Sequence, residues 1–284
     1  MTMNRLMHWM PTVVTVGVAA ALAVHGPISQ FADYHAFADT RAWMGIPNAA
    51  DVLSNAGFAL VGGWGLAHLW RHRSDRHVSS AWPGYMLFVV SLIATAIGST
   101  IYHWAPSDSR LVWDRLPIAL ACAGLLAGVR ADVDRTVDGV RMTFVLALCA
   151  VASVIWWHAT QATGEGDLRP YLMFQALPIV LIPLWQISYG APRAERFAFG
   201  AAIALYALAK AVELYDRPVF ASLRWISGHT LKHLLATAAA ATIVAYLVRS
   251  VDAGRVTTAT RRRYRHIVKL WRLGTDARAP GNPH

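Results

Sequence analysis

Charged residues are scarce in this 284-residue chain, where Asp, Glu, Lys and Arg make up 15% of the sequence, against about 25% in soluble globular proteins. Cysteine is scarcer still: Cys122 and Cys149 are the only two, and both lie in apolar stretches, where a thiol packs as a small hydrophobic group. The sequence contains no CxxC pair, no glycine-rich phosphate loop and no GxSxG nucleophile elbow. These absences exclude a disulfide-rich secreted scaffold, a disordered chain and an ordinary soluble enzyme.

Long apolar stretches take the place of the missing charge, since 56% of the residues are hydrophobic and the mean hydropathy is +0.37. Eight stretches have about the 20-residue length that a helix needs to cross a bilayer. They cover residues 10–28, 52–69, 82–104, 112–129, 142–158, 170–189, 197–214 and 226–248. The sequence therefore predicts an all-α membrane protein. The first stretch also fits a signal peptide, but His25-Gly26-Pro27 is a poor cleavage site and favours a retained helix.

The basic residues divide unevenly between the two sides that these spans define. Of the 26 Lys and Arg residues, eighteen fall on the side of both termini, five fall on the other side and three lie within spans. The five are Arg41, Arg110, Arg169, Arg217 and Arg224, and the three are Arg115, Lys210 and Lys232. Because cytoplasmic loops carry an excess of Lys and Arg, this division predicts that both termini are cytoplasmic.

The predicted organisation has four parts. Residues 1–30 form the N-terminal start with an extra transmembrane helix, residues 31–51 an exoplasmic loop, residues 52–250 the helical bundle, and residues 251–284 a basic cytoplasmic tail. The tail carries RRRYR at 261–265, a pattern that also occurs in segments that bind nucleic acid or anionic lipid. We favour a topology anchor, so the predicted partner is the lipid bilayer and not nucleic acid.

Three polar clusters interrupt the apolar spans. They are GSTIYH at 98–103, WDR at 113–115 and SGHTLKH at 227–233. Span parity places all three in the same leaflet, on the side opposite the termini. Ionisable groups in a bilayer are costly and are candidates for a functional site by default.

Histidine spacing suggests a metal centre in that leaflet. His229 and His233 are four residues apart and share a helix face, and Ser99 and His103 have the same spacing on another helix. Three histidines can hold Zn²⁺ with one position open for water, which is the arrangement of catalytic zinc sites. Asp114 is the candidate general base, and Ser99 is a candidate hydrogen-bond donor to the substrate or to a neighbouring group.

The other polar residues of the spans are interpreted more simply. Lys210 and Glu213 are expected to form an intrahelical ion pair, and Lys232 to extend toward the membrane surface. The remaining histidines considered are expected to be interfacial or solvated; they are His8, His25, His68, His72, His77, His158, His266 and His284.

The three clusters together resemble the alkaline ceramidase family. The blocks GSTIYH at 98–103, RLVWDRLP at 110–117 and SGHTLKH at 227–233 match its pattern of Ser-x-x-x-His, Asp and His-x-x-x-His. That family belongs to a superfamily of seven-span membrane proteins that also includes the adiponectin and progestin receptors, haemolysin-III-like proteins and lipid-remodelling proteins of GPI-anchor maturation. The resemblance runs from about residue 31 to residue 248. It implies a seven-transmembrane-helix bundle with one extra N-terminal hydrophobic helix.

The resemblance also implies a chemistry. A zinc ion held by His103, His229 and His233, assisted by Ser99 and Asp114, would hydrolyse the amide of ceramide, or of a related N-acyl lipid, to a sphingoid base and a fatty acid. Animal members are associated with calcium near the first core helix. The matching stretch here contains no glutamate and offers as candidate calcium ligands Asp33, Asp39, Asn48, Asp51 and Asn55.

The segment GDLRPY at 166–171 resembles the bacterial branch of the family, and only three of the 26 basic residues are lysines, as in GC-rich genomes. A bacterial inner membrane would place the zinc in the periplasmic leaflet. Three alternatives stay open at this point. One is hydrolysis of a lipid ester, the second is a receptor-like or haemolysin-like protein with structural zinc, and the third is an ion pathway. The sequence leaves head group, acyl chain and oligomeric state open.

Overall fold

The computed structural model describes residues 2–73, 80–164 and 166–276. Toward the two termini, side chains are described only from residue 9 onward and only as far as residue 253. The described part contains helices and no strand. The helices are α1 (Thr2–His25), α2 (Ala49–Ser54), α3 (Ala56–Arg71), α4 (Trp82–Trp104), α5 (Asp108–Val133), α6 (Gly139–Ala162), α7 (Arg169–Ser188), α8 (Arg193–Leu214), α9 (Asp216–Leu223) and α10 (Gly228–Asp276).

Seven helical segments in the described part are long and apolar enough to cross a membrane. They are Ala49–Arg71, Trp82–Trp104, Asp108–Val133, Gly139–Ala162, Arg169–Ser188, Arg193–Leu214 and Gly228–Ala253. The prediction of an all-α, multi-pass membrane protein with a seven-helix bundle is confirmed. The predicted extra N-terminal span is a shorter apolar helix, Trp9–His25. It ends where Gly26 adopts a φ of 86° and Pro27 follows.

Three boundaries differ from the sequence prediction. The first core span begins at Ala49 and is interrupted at Asn55, so α2 and α3 together form it. The short helix α9 lies between the last two spans and ends at Leu223, directly before Arg224, which adopts a left-handed φ of 63°. Helix α10 continues to Asp276, whereas its predicted span ended at residue 248. The tail residues 277–284 lie outside the described residues.

The apolar core is built largely from α4 and α5 and from the helices that pack on them. Its buried members include Tyr85, Phe88, Val89 and Leu92 of α4, Leu126 and Val129 of α5, Phe199 of α8, and Ile243 and Val244 of α10. Successive spans run in opposite directions, so the end of α4 and the starts of α5 and α10 lie together at one end of the bundle, which we call the site end. The end of α3 and the middle of α10 lie at the other end of the bundle, which we call the opposite end.

Glycines bring α4 and α5 into close contact along their length. A Cβ on Gly84 would lie 2.2 Å from the backbone nitrogen of Gly128, and a Cβ on Gly98 would lie 1.9 Å from the carbonyl oxygen of Trp113. Small residues allow such approach between membrane helices. The contact at Gly98 places the next residue, Ser99, beside Asp114.

A segment without regular helix, residues 26–48, joins α1 to α2 and crosses the site end. Its backbone is tied to the bundle at Ala38, whose N–H donates to Asp216 Oδ2 at 2.9 Å. Arg41 donates to the carbonyl oxygen of Trp225 at 3.1 Å and forms an ion pair of 2.7 Å with Asp39. The hydrogen bond from Arg41 holds the pKa of Asp39 below its usual value.

Asp167 fastens the connection between α6 and α7 to the start of the same segment. Its buried carboxylate accepts from the guanidinium of Arg169 at 2.9 Å, from Trp156 Nε1 at 2.9 Å and from the N–H of Ile28 at 3.4 Å. Burial raises the pKa of Asp167, but the hydrogen bonds, led by that from Arg169, outweigh it and hold this pKa well below its usual value.

Candidate metal centre

Three imidazole rings meet at the site end. His103 comes from the last turn of α4, and His229 and His233 come from the first turns of α10. The ring centroids are 4.8, 4.9 and 4.9 Å apart, and the Nε2 atoms of His103 and His229 are separated by 3.3 Å. One nitrogen from each ring lies within 4.8 Å of the other two, and all three residues are buried. The structure thus brings together the three histidines that the sequence nominated.

A hydroxyl group on α2 fixes the orientation of His233. The Ser54 hydroxyl donates to the carbonyl oxygen of Asp51 at 2.9 Å and lies 2.8 Å from His233 Nδ1. Because its one hydrogen is already used, Ser54 must accept from Nδ1–H. The proton on Nδ1 leaves the lone pair on Nε2 directed at the other two rings, which is the tautomer of a metal ligand.

The spacing of the nitrogens fits a tetrahedral metal ion. With Zn–N bonds of about 2.0–2.1 Å, two nitrogens of a tetrahedral site lie about 3.3–3.4 Å apart. The Nε2 atoms of His103 and His229 are 3.3 Å apart. Burial disfavours the charged form of each imidazole, so neutral rings are expected here. This cluster can therefore hold a divalent metal ion.

The start of α10 is held rigidly, which positions both of its histidines. Asp216 Oδ1 accepts from the N–H of His229 at 2.8 Å, and Ser227 Oγ accepts from the N–H of Thr230 at 2.9 Å. The Thr230 hydroxyl in turn donates to the buried carboxylate of Asp51. A Cβ on Gly228 would lie 2.1 Å from the carbonyl oxygen of Val212, so only glycine lets α10 begin against α8.

Ser99 and Asp114 lie in the same region but outside the cluster of metal-ligand atoms. Both are buried, and the Ser99 hydroxyl forms a hydrogen bond with the Asp114 carboxylate across the contact between α4 and α5. Asp114 also interacts electrostatically with Lys232. Asp114 is not a member of the group of metal-ligand atoms found among the described residues.

The sequence interpretation of Lys232 is wrong. Its side chain does not extend to the membrane surface; it points into the bundle, where Nζ lies 2.9 Å from His229 Nε2 and 3.0 Å from Glu213 Oε1. The expected pair of Lys210 and Glu213 is present at 2.8 Å, so Glu213 joins two lysines. The ammonium group of Lys232 therefore lies beside the histidines, held there by Glu213. The HxxKH spacing was the only signal for this role.

Aromatic side chains cover the three imidazoles. Phe37, from the segment 26–48, has its ring 4.8 Å from that of His103 and 4.6 Å from that of His229. Phe58 of α3 lies 6.4 Å from His233. Asn48, which like Phe37 belongs to the segment 26–48, donates to the carbonyl oxygen of His103 at 2.8 Å. Sequence reasoning missed Phe37, because an isolated aromatic residue in a polar connection carries no periodic signal.

The residues predicted as calcium ligands have other partners in the structure. Asp39 pairs with Arg41, Asp51 bonds to Thr230, and Asn48 bonds to the backbone of His103. Asp33 is exposed, and its carbonyl oxygen accepts from the N–H of Ala36. The two groups of His, Cys, Asp and Glu side chains found within metal-binding distance in the described residues include none of these aspartates. Calcium binding stays a prediction.

Of the histidines expected to be interfacial or solvated, His72 is not solvated, since it is only 4% exposed and contacts His68 near the opposite end. His25 and His158 are exposed, as expected. The placement of His77 and His284 and the side chains of His8 and His266 lie outside the described residues.

Comparison with known proteins adds no relative: no family model, no curated protein and no solved structure matches the chain. The chemistry of the site therefore rests on its own geometry and on the residue pattern.

Proposed function

We propose that this protein is a zinc-dependent amidase that acts within the membrane, hydrolysing ceramide or a related N-acyl lipid to a sphingoid base and a free fatty acid. The observation that carries the proposal is the convergence of three buried imidazoles with a neighbouring carboxylate and ammonium group at one end of an apolar bundle. This set also matches the residue pattern that resembles the alkaline ceramidases.

The chain's own residues supply the acid–base and electrostatic parts of the reaction. His103, His229 and His233 would hold the metal, and a bound zinc ion lowers the pKa of a water molecule to about 7 and polarises a carbonyl group. Asp114 accepts the proton of the attacking water and returns it to the amide nitrogen as the carbon–nitrogen bond breaks. Ser99 holds the Asp114 carboxylate in place through its hydrogen bond.

Lys232 has a separate role in this proposal. Its ammonium group lies 2.9 Å from a ligand nitrogen of His229, and Glu213 anchors it from the other side. Negative charge develops on the amide oxygen as water adds to the carbonyl carbon. A fixed positive charge in a site shielded by Phe37 stabilises that oxygen more than the neutral substrate, and such a difference lowers the barrier.

The proposed location follows the division of basic residues. Arg71, Arg73 and Arg130 lie at the end of the bundle opposite the histidines. An excess of arginine marks the cytoplasmic side, so we place both termini in the cytoplasm and the metal centre in the outer leaflet, which is the periplasmic leaflet of a bacterial inner membrane. A two-chain lipid is already dissolved in that leaflet, so it can reach the site from the bilayer.

The experiment compares metal content and fatty-acid release for four proteins purified in detergent without a histidine tag. They are wild type, Asp114→Asn, Asp132→Asn and His233→Ala. Asp132 is the matched control because it lies on the same helix, near the opposite end, with its carboxylate bonded to the Tyr85 hydroxyl. The substrates are ceramide, other N-acyl lipids and O-acyl phospholipids.

We expect amide hydrolysis by wild type and by Asp132→Asn, and about one equivalent of zinc less in His233→Ala. Asp114→Asn should keep its zinc and lose at least 100-fold in turnover, the usual scale for a general base. Full turnover by a zinc-depleted His233→Ala protein would overturn the proposal. Release from O-acyl lipids alone would make the protein an esterase, and bound zinc without release from any lipid would support the receptor-like alternative.

A further inference from the structure

A second group of metal-ligand side chains lies at the opposite end of the bundle. His68 is in the last turn of α3, His72 directly follows that helix, and Asp252 is on α10. One ligand atom from each of the three lies within 4.8 Å of the other two. Helix geometry at 1.5 Å per residue puts Asp252 about 28 Å along α10 from His233. The two groups are therefore separated by nearly the thickness of the hydrocarbon core.

The hydrogen bonds of His72 prepare one nitrogen for a ligand. His72 Nδ1 donates to the carbonyl oxygen of His68 at 2.6 Å, which puts its proton on Nδ1 and its lone pair on Nε2. That Nε2 atom is buried and has no hydrogen-bond partner in the described part of the chain. Buried acceptors are nearly always satisfied. A histidine that donates to a backbone carbonyl with its other nitrogen unused has the arrangement of a metal ligand.

His68 and Asp252 are the other two members of this group. His68 Nε2 lies 3.3 Å from Asp252 Oδ1, and the rings of His68 and His72 are 4.6 Å apart. The Asp252 side chain is 54% exposed, so water can reach this edge of the group. The two histidines, four residues apart at the end of α3, meet a carboxylate on α10 only because α3 packs on α10.

We propose that His68, His72 and Asp252 form a second site for a divalent transition-metal ion, Zn²⁺ in the first instance, that links the end of α3 to α10. Two imidazoles and one carboxylate are ligands that zinc takes, with water in the fourth position. They do not suit Ca²⁺ or Mg²⁺, which prefer oxygen ligands throughout. The ion sits where α10 continues toward Asp276 and so fastens the root of that extension to the bundle.

The test is the metal content of detergent-purified protein without a histidine tag, after loading with Zn²⁺ and removal of free metal. The proteins are wild type, His72→Ala, Asp252→Asn and the control His158→Ala, whose imidazole is exposed on α6. We expect about one zinc equivalent less in His72→Ala than in wild type and no change in His158→Ala. Asp252→Asn replaces an exposed residue and should lower the zinc affinity at least tenfold while the protein keeps its helical content.

The expected difference of one zinc equivalent between wild type and His72→Ala does not depend on whether the histidine triad binds metal. A failure of this proposal can therefore be told apart from a failure of the proposed function. A triad that binds no metal would leave one equivalent in wild type and none in His72→Ala. Equal zinc content in wild type and His72→Ala, together with an unchanged zinc affinity in Asp252→Asn, would overturn the second site.

Discussion

Replacing Ser54 by alanine perturbs the metal centre without removing a ligand. The variant loses the hydroxyl that accepts from His233 Nδ1–H at 2.8 Å, so the ring is no longer held with Nε2 directed at His103 and His229. Loss of such an outer partner typically lowers metal affinity by 10- to 100-fold, which is about 1.4–2.8 kcal/mol of binding free energy. The carbonyl oxygen of Asp51 also contacts this imidazole, so we expect the lower part of that range.

Ser153→Ala is the matched control for this variant. Ser153 also lies on a helix and donates to the carbonyl oxygen three residues earlier, at 2.7 Å, as Ser54 does at 2.9 Å. Both substitutions remove that local bond, but only Ser54→Ala removes a contact with an imidazole. The assay is competition for Zn²⁺ with a chromophoric chelator, measured in detergent on proteins that also carry His72→Ala so that one site is observed.

The expected result is a zinc affinity about tenfold weaker in Ser54→Ala and changed by less than about twofold in Ser153→Ala. A zinc affinity in Ser54→Ala equal to that of the parent protein would refute the inference that Ser54 sets the tautomer and orientation of His233. An equal loss in both would instead trace the effect to helix packing.

Three further outcomes follow from other parts of the structure. Lys232→Met should keep the triad's zinc and lower lipid turnover by about 100-fold, the scale of losing one group that stabilises a developing oxyanion; unchanged turnover would remove Lys232 from the reaction. Gly98→Ala forces a Cβ to within 1.9 Å of a backbone carbonyl oxygen and should lower the stability of the protein by about 3 kcal/mol or more. Gly200 has open space around it, so Gly200→Ala should raise stability by about 0.5–1 kcal/mol. Both changes are measured by thermal unfolding in detergent. Because the pKa of Asp167 is held below its usual value, its contribution to stability is full above about pH 4 and is lost as the pH falls through its folded-state value. Asp167→Asn should therefore lower the unfolding temperature near neutral pH and flatten its decline between pH 5 and pH 2, and an unchanged slope would contradict this assignment.

The fold and the histidine triad follow from local features of the sequence. Apolar length alone marks the seven core helices, because lipid leaves an unpaired backbone no partner outside a helix. The four-residue spacing of His229 and His233 places both on one helix face, and the alternation of spans brings His103 to the same end. The C-terminal boundary of the N-terminal helix was predicted three residues too late, since apolar composition extends to residue 28 while Gly26 and Pro27 end the helix at His25.

Other features depend on contacts between segments far apart in the chain, and no local pattern encodes them. Ser54 and His233 are 179 positions apart, and their hydrogen bond exists only because α2 packs beside the start of α10. Lys232 points inward because Glu213 on α8 accepts it, although its position near a helix end fits a surface lysine equally well.

The sequence by itself determined the positions of the seven long apolar helices of the bundle and the three histidines that share one end of it, because the helix repeat and the thickness of the bilayer are fixed. The tertiary structure decided which groups surround those histidines, namely Ser54, Lys232 and Phe37, and that His68 and His72 meet Asp252. The physical reason is that helix crossing and side-chain rotamers set these distances, and both arise from packing over the whole bundle.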